Sequence, residues 1–545
     1  MKKTHRILLL LLALVSAVLV LAACNKPSDP MLEMLEFQKK EDGTYAVSIG
    51  KAYGLAEIKI PAVYKKKPVT EITYQGFQSR YLESITIPDS VTTIGWGAFT
   101  ECTKLKSVTI PSGVTAIHAS TFENCTSLAS VTLPKGITSI ESKAFAGCTS
   151  LKGLTIPDTT VSIDRYAFAG CTALETMTVP NSVTSIGYKA FYNCVRLSGI
   201  QLPSALTSIS WGTFSGCASL KSIVIPASVT SIDYTAFAGC KDLTTVEMPA
   251  GLVTIGDRAF YDCSDLLSIT LPQGVTSIGT SAFEGCHKLI EVINKSAMPL
   301  SVGESYSSFI THYAKEVHGG DSKIEAAGDY LFFSYDNTNY LIGYSGTENE
   351  LTLPQDFHGK GYQIHSYAFF DRDTITEVAI PDSVTAIGNS AFADCQNLLH
   401  IEIPGSITEI SASAFARCER LVSATIGEGT KSIGAYAFSN CAALAELTLP
   451  GSLEDIGRYA FQNCSLLTDV IIPENVLRIG EYAFSNCKAL KNVIFEKVNT
   501  WWCAAPADST LGTSIPEGHL NAPETAASYL SSVYTARIWM YQMPK

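Results

Sequence analysis

The sequence is poor in charge and lacks the motifs of common enzymes. Only 17% of its 545 residues are charged and 46% are hydrophobic, a composition that excludes a disordered chain. The net charge of −12, with no face rich in lysine or arginine, argues against nucleic acid as a partner. The nine histidines do not cluster, and nucleophile-elbow, zinc-helix and phosphate-loop motifs are missing. The sequence therefore predicts no catalytic residue, no metal site and no cofactor.

Apolar runs long enough to span a bilayer are missing after the start of the chain. A basic stretch, residues 2–6, precedes an apolar run over residues 7–23 that is short for a membrane span. The run ends in Leu21-Ala22-Ala23-Cys24, which resembles the lipobox of bacterial lipoproteins. The resemblance implies cleavage before Cys24 and acylation of that cysteine, whereas an uncleaved anchor helix is the alternative. Because Asn25 follows, instead of the aspartate associated with inner-membrane retention, we expect a location at the outer membrane or cell surface.

Cysteine, in contrast, is abundant and evenly spaced. Two of the sixteen cysteines, Cys24 and Cys503, lie outside the series. The other fourteen recur every 23 residues in two series: Cys102, Cys125, Cys148, Cys171, Cys194, Cys217, Cys240, Cys263 and Cys286, then Cys395, Cys418, Cys441, Cys464 and Cys487. A typical copy, residues 128–150, reads LASVTLPKGITSIESKAFAGCTS. A fixed period of this length indicates a repeat array, in which each coil buries its apolar face against its neighbours.

Each copy predicts one short coil. Alternating apolar residues before Pro134 are typical of a short strand. Phe145 and Cys148 then close the coil and point inward, as Phe237 and Cys240 do four coils later. Stacked coils would pair their strands in parallel, about 4.8 Å apart. We therefore predict a β-rich solenoid of 23-residue coils with parallel strands on its concave face.

These repeats resemble the leucine-rich repeats of the BspA type, found in bacterial surface lipoproteins, over about residues 58–495. One copy departs from the pattern because Gly427 replaces the proline. The resemblance implies adhesion to host proteins or to other bacteria, and it supplies no catalytic residue.

The array is interrupted once, because Cys286 and Cys395 are 109 residues apart, which is not a multiple of 23. Similar apolar, hairpin-like segments precede the coils on each side of this break. We therefore predict two leucine-rich-repeat arrays, each with an N-terminal hairpin cap. The predicted boundaries are a signal peptide (1–23), a tether (24–35), the first array with its cap (36–293), a connector (294–328), the second array with its cap (329–495) and a C-terminal cap (496–545).

The repeat cysteines are interpreted as buried thiols. Equivalent side chains of stacked coils would lie about 5 Å apart but point the same way, whereas a disulfide needs them to face each other. Nine cysteines in the first array also cannot pair completely, and free cysteine is commonly buried. Disulfides remain the alternative for an exported protein. Cys503, outside both series, is expected to be the reactive thiol.

Aromatic residues at repeated positions are the candidate binding residues. One position just after the second inward isoleucine carries Trp96 and, on three consecutive coils flanked by Arg165 and Asp257, Tyr188, Trp211 and Tyr234. In the second array, the next position carries Tyr436, Tyr459 and Tyr482. Exposed aromatics mark many interaction sites, but the same rings could pack flat on neighbouring coils. A column of threonines on the strands, such as Thr109 and Thr132, is interpreted as a ladder that suits a parallel sheet.

The sequence thus predicts a lipid-anchored bacterial surface protein that mediates protein–protein or cell adhesion. Its expected partners are host or bacterial surface proteins, or a polysaccharide, with the membrane contacted through the lipid. A structural spacer and an enzyme with a site hidden in a cap or the connector are the alternatives.

Overall fold

The computed structural model describes residues 30–303, 306–505 and 508–541. The chain divides into two compact units, Met1–Gly319 and Gly320–Lys545. Cys24, the residue predicted to be acylated, lies outside the described residues. Within them, no helix has the length and hydropathy needed to cross a membrane.

Both units are parallel β-solenoids, and coil 128–150 illustrates their repeat. Its first strand, Ser130–Thr132, exposes the serine and the threonine, while its second strand, Ser139–Ile140, buries the isoleucine. Pro134 separates the two strands because it cannot donate a ladder hydrogen bond. Turns then lead to the next coil, so no helix forms in the 23 residues. The predicted fold class is confirmed.

In the first unit the strands form two columns. The first strands of neighbouring coils pair in parallel within several short sheets, as Ser107–Thr109 does with Ser130–Thr132. They are Glu57–Lys59, Ser84–Thr86, Ser107–Thr109, Ser130–Thr132, Thr176–Thr178, Gly199–Gln201, Ser222–Val224, Thr245–Glu247, Ser268–Leu271, Glu291–Asn294 and Glu316–His318. Second strands are Thr93–Ile94, Ala116–Ile117, Ser139–Ile140, Ser162–Ile163, Ser185–Ile186, Ser208–Ile209, Ser231–Ile232, Thr254–Ile255 and Ser277–Ile278.

Hairpins precede the regular coils of the first unit. A helical turn, Met31–Met34, leads into antiparallel strands Glu36–Lys39 and Tyr45–Ser48. A 3₁₀ helix, Gly50–Gly54, follows, and then strands Val63–Tyr64 and Lys67–Ile72 form a second antiparallel pair. Lys67–Ile72 also pairs in parallel with Tyr45–Ser48 and with Thr93–Ile94, so the hairpin residues continue directly into the second-strand column.

The second unit opens on three antiparallel strands, Ile324–Ala327, Tyr330–Tyr335 and Thr338–Tyr344. Its first strands are Glu350–Thr352, Glu377–Ala379, His400–Ile403, Ser423–Ile426, Glu446–Thr448, Asp469–Ile472 and Asn492–Phe495. Its second strands are Tyr362–Ile364, Val384–Ile387, Glu409–Ile410, Ser432–Ile433, Asp455–Ile456 and Arg478–Ile479. Thr338–Tyr344 pairs in parallel with Tyr362–Ile364, which places the hairpin on the second-strand column.

The C-terminal residues of the second unit fold back antiparallel on its last coils. Strand Ile538–Tyr541 pairs with Arg478–Ile479 and with Trp501–Ala505, which in turn pairs with Asp508–Ser514. Helices Glu517–Leu520 and Pro523–Ser528 and the π-helical turn Tyr529–Val533 lie between these strands in sequence. Trp501 and Trp539 are buried there with Phe495.

The expectation that Cys503 is a reactive thiol is wrong. Cys503 is only 4% exposed, because strand Trp501–Ala505 is paired with another strand on each side. Burial also raises the pKa of its thiol, which disfavours the nucleophilic thiolate.

The core of each unit is a column of phenylalanine rings beside a column of thiols. Successive rings from Phe99 to Phe283 stack with centroids 5.2–5.6 Å apart, and those from Phe369 to Phe484 are 4.9–5.4 Å apart. Phe145, Cys148, Phe237 and Cys240 are fully buried in these columns. The fifteen cysteines of the described residues are free thiols.

Candidate binding surface

The turn after each second strand presents one outward residue that recurs in every coil. We call it the ring position; it lies three residues before the buried phenylalanine. The next residue, the shoulder position, has a left-handed backbone, with φ of 54° at Lys189, 58° at Gly212 and 50° at Thr235. Backbone hydrogen bonds of 2.9 Å tie these turns together, from Lys189 N–H to the Trp211 carbonyl and from Gly212 N–H to the Tyr234 carbonyl. Side chains at the ring position are thereby held in line.

Tyr188, Trp211 and Tyr234 occupy the ring position on three consecutive coils and form what we call the aromatic strip. The Tyr188 and Trp211 rings are stacked with centroids 5.6 Å apart and planes 18° apart. Trp211 and Tyr234 are 6.0 Å apart with planes tilted by 59°. Trp211 remains 42% exposed and Tyr234 43% exposed. The two sequence interpretations of these rings are thus combined, because they pack on each other and still face solvent.

Two cations of the chain itself lie against this strip. The Lys189 ammonium is 4.9 Å from the centre of the Trp211 ring and 5.0 Å from that of Tyr192. At the Tyr188 end of the strip, the Arg165 guanidinium donates a 3.2 Å hydrogen bond to the Tyr188 hydroxyl and lies 5.9 Å from the centre of the Tyr188 ring. Such contacts contribute about 0.5–1 kcal/mol at exposed sites, so they orient the rings more than they bury them.

The glycine at the shoulder position beside Trp211, Gly212, does not leave one side of the Trp211 ring uncovered. Lys189 fills that space, since its Cγ would lie 3.0 Å from a Cβ added at Gly212. Sequence reasoning missed Lys189, Tyr166 and Tyr192 as part of this surface. Their positions in the repeat could have revealed them. Lys189 and Tyr166 occupy the shoulder position, and Tyr192 directly follows a buried phenylalanine.

Trp96 is not brought to the aromatic strip. It occupies the ring position four coils before Tyr188, and Ala119, Ser142 and Arg165 fill the positions between them. Its side chain is 60% exposed. Trp96 is therefore a solvent-exposed tryptophan in the same turn geometry but outside the stack.

In the second unit, the tyrosines at the shoulder position of three consecutive coils stack on one another. Tyr436 and Tyr459 are 4.7 Å apart with planes 13° apart, and Tyr459 and Tyr482 are 4.8 Å apart with planes 5° apart. The Arg458 guanidinium lies 4.8 Å from the centre of the Tyr459 ring. Both faces of Tyr459 are thus covered by neighbours, and Tyr436, at one end, is 37% exposed.

An open cleft of about 630 Å³ crosses the first-strand face near Gly153. Asp158 is the one titratable residue that lines it, beside Leu154, Met177 and several hydroxyl side chains. One carboxylate without a base, nucleophile or second acid does not make a catalytic group. In the described parts of the chain, no three His, Cys, Asp or Glu side chains are grouped so that they could hold a metal ion.

Solved structures of bacterial leucine-rich-repeat proteins are similar to this chain. A protein of Bacteroides ovatus is 25% identical over 84% of this chain and 92% of its own, with a TM-score of 0.40. A leucine rich cell surface protein of Faecalibacterium prausnitzii is 27% identical over 86% and 94%, with a TM-score of 0.28. A leucine-rich-repeat protein of T. pallidum is 23% identical over 47% and 88%, with a TM-score of 0.27. No curated protein matches the sequence.

The repeats themselves match a known family. The description of that family is BspA type leucine rich repeat region, and it matches six copies over residues 70–198, 184–300 and 362–500. Together these ranges cover more than half of the chain. The chain therefore belongs to the BspA-type leucine-rich-repeat family.

Proposed function

We propose that this chain is a lipid-anchored protein of the bacterial cell surface that adheres to other proteins through the aromatic strip of its first unit. The observation that carries the proposal is the geometry of Tyr188, Trp211 and Tyr234, three rings in line on consecutive coils with Trp211 and Tyr234 more than 40% exposed. Tyrosine and tryptophan dominate binding hot spots because they add large contact area at small entropic cost. Lys189 and Arg165 at the edge of the strip add directional polar contacts.

The anchor part of the proposal rests on the sequence alone. Leu21-Ala22-Ala23-Cys24 resembles a lipobox, and the residues that follow it are polar and proline-containing. A single acyl chain binds a membrane only marginally, whereas several chains on one cysteine would hold the protein firmly. Residues 31–35 belong to the first unit, since Leu35 is buried in its core, so residues 24–30 would form the tether between that unit and the membrane surface.

A polysaccharide partner is the second candidate, and the stacking of the rings argues against it. Sugar rings bind aromatic faces, but Tyr188 and Trp211 each turn one face toward the other, and that face is closed to a sugar. The Tyr234 ring is tilted by 59° against Trp211 and does not stack on it. A protein partner, which contacts aromatic edges as well as faces, therefore fits the strip better. A pure spacer would bind no partner at all.

The test is capture of partners by the immobilised chain from host matrix proteins, polysaccharides and bacterial surface fractions. We expect Trp211→Ala to reduce capture of a protein partner at least tenfold. Trp96→Ala is the matched control, because it removes an exposed tryptophan of the same turn position outside the strip. Equal capture by the parent and the Trp211 variant, with a partner bound, would place the binding surface elsewhere. Capture of nothing by the parent would favour the spacer.

A further inference from the structure

We infer that the partner of the aromatic strip is a second copy of this chain, bound antiparallel about a two-fold axis that passes by Trp211. This inference rests on the proposed function of the strip and names its partner. The observation that supports this inference is the order of side chains at the ring position on five consecutive coils. It reads cation, tyrosine, tryptophan, tyrosine, anion, which are Arg165, Tyr188, Trp211, Tyr234 and Asp257.

Such an order is complementary to its own reverse. A two-fold interface joins the same patch on both copies, so that residue i contacts residue j and j contacts i. With the strips antiparallel and centred on Trp211, Arg165 of each copy faces Asp257 of the other. Tyr188 faces Tyr234, and the two Trp211 side chains meet at the centre. Both end residues are exposed. One oxygen of the Asp257 carboxylate accepts the Thr280 N–H at 2.7 Å, and no lysine or arginine of the described residues forms an ion pair with it, so its charge can face a partner.

The columns of residues on either side of the strip are also complementary when one copy is reversed. At the shoulder position the reversed order sets an arginine against a tyrosine and a lysine against a threonine. Directly after the buried phenylalanine it sets each tyrosine against an alanine, so that large side chains meet small ones. The facing pairs are Tyr166 with Arg258, Lys189 with Thr235, Ala169 with Tyr261, Tyr192 with Ala238, Gly212 with Gly212 and Ser215 with Ser215.

The residue before the ring position also avoids a clash. Reversal sets Asp164 against Gly256 and Asp233 against Gly187, so no two carboxylates meet. Strips aligned in parallel would instead place Arg165 against Arg165 and Asp257 against Asp257, and like charges across an interface cost several kcal/mol. Charge therefore selects the antiparallel arrangement.

The size of the patch predicts the strength of the contact. Five coils spaced by about 4.8 Å make a strip about 20 Å long and only a few side chains wide, so the area that it can bury is below the roughly 800 Å² per partner of a standard interface. We therefore expect weak association in solution, in the micromolar range or weaker. Many copies on one surface would multiply that strength, because linked contacts bind with an avidity far above that of a single one.

The antiparallel arrangement also indicates where the two copies are anchored. It places the N-terminal coils of one first unit beside the C-terminal coils of the other. Lipid anchors that precede the first unit would then leave the pair in opposite directions, which suits copies on two facing cells. The adhesion inferred here is homotypic, between cells that display this same chain.

The experiment measures self-association by sedimentation velocity of the chain starting at residue 25, over a wide concentration range. Arg165→Asp and Asp257→Arg should each weaken association at least tenfold, because each variant places like charges at both ends of the strip. An equimolar mixture of the two variants should associate as the parent does, since every end contact is then again between opposite charges. The double variant should recover association as well.

Controls separate folding from contact, and the inference from the proposed function. Arg165 and Asp257 are exposed and each makes a hydrogen bond within the chain, to the Tyr188 hydroxyl and from the Thr280 N–H, so the melting temperatures of their variants should lie within a few degrees of the parent. Trp211→Ala should abolish association and Trp96→Ala should leave it unchanged. A monomeric parent at all concentrations, or a mixture of single variants that fails to associate, would overturn the inference. If Trp211→Ala still abolished capture of another protein, the proposed function would stand without it.

Discussion

The thiol of Cys148 donates a hydrogen bond of 3.2 Å to the backbone carbonyl oxygen of Phe122, one coil earlier. The same oxygen accepts the N–H of Cys125 at 3.1 Å, so both of its lone pairs are used. All fourteen repeat cysteines donate in this way to the phenylalanine of the preceding coil, at 3.0–3.3 Å. Cysteine suits this position because it is small and apolar, and still a weak donor.

These thiols are predicted to be chemically inert in the folded protein. Each is buried, and burial raises the pKa of Cys171 and of Cys217 to about 12, so almost no thiolate is present at pH 8. We expect thiol reagents to label none of the fifteen described cysteines in the native state. All fifteen should become reactive after denaturation without a reductant. Peptide mass spectrometry that found a bridge such as Cys148–Cys171 would contradict this.

The same burial predicts loss of stability at alkaline pH. The folded pKa of a column thiol such as Cys217 is above its unfolded value, about 8.5. Its contribution is therefore complete below pH 8.5 and is lost as the pH rises toward 12, because only the unfolded chain releases the proton. A thiol with such a raised pKa, as at Cys171 and Cys217, lowers the free energy of unfolding by about 1.4 kcal/mol per pH unit in that window. Urea midpoints should fall steeply from pH 8 to pH 10, and less steeply in a Cys217→Ala, Cys240→Ala variant. Equal slopes for parent and variant would assign the effect to other groups.

Phenylalanine and cysteine of one coil are predicted to differ in their contribution to stability. Phe237 is fully buried and stacks on Phe214 and Phe260 at 5.4 and 5.3 Å, so Phe237→Ala should cost about 3–5 kcal/mol. Cys240→Ala removes one atom and one weak hydrogen bond to Phe214, and should cost about 1 kcal/mol. Urea unfolding of both variants measures the ratio. A loss for the cysteine variant as large as for the phenylalanine variant would show that the thiol column, and not the ring column, holds the coils together.

The repeat made much of the fold predictable from sequence, and the exceptions are particular. The 23-residue period placed the first strand of each coil, Phe145 and Cys148, because each position meets the same neighbour in every coil. It did not reveal the second strand, Ser139–Ile140, because two residues are too few for an alternating pattern. Cys503 was misjudged because it lies outside the repeat, in a strand whose partners come from residues far along the chain. Lys189 was missed because its contact with Trp211 depends on a left-handed turn that lets its stem cross Gly212. Periodicity specifies position in the stack, and it does not specify where a long side chain extends.

The proposed lipid anchor predicts that replacing Cys24 changes where the protein is located. Cys24→Ala removes the thiol that the lipobox resemblance marks for acylation. We expect the precursor to stay uncleaved, or the chain to be released from the membrane fraction, and labelled fatty acid to be absent from it. Asn25→Ala is the control that alters the next residue and leaves the thiol. A Cys24 variant that is cleaved and membrane-bound like the parent would refute the anchor, without bearing on the aromatic strip.

Tyr459 is predicted to be structural, in contrast to Trp211. Its ring is covered on both faces by Tyr436 and Tyr482, with centroids 4.7 and 4.8 Å away. An aromatic pair contributes about 0.5–1.5 kcal/mol, so Tyr459→Ala should lower the free energy of unfolding by about 1–3 kcal/mol. Tyr436→Ala should cost about half as much, because that ring stacks on one tyrosine. Tyr459→Phe keeps the ring and should be nearly neutral.

Urea unfolding followed by circular dichroism measures these losses, and partner capture is measured on the same samples. Both Tyr459 variants should capture partners as the parent does, since the stack lies in the second unit and its faces are occupied. A double-mutant cycle of Tyr436→Ala and Tyr459→Ala should give a coupling of about 1 kcal/mol. A cycle with no coupling would mean that the rings are merely adjacent. Loss of capture at unchanged stability would mean that the second unit carries a binding surface as well, formed by the edges of its tyrosine stack.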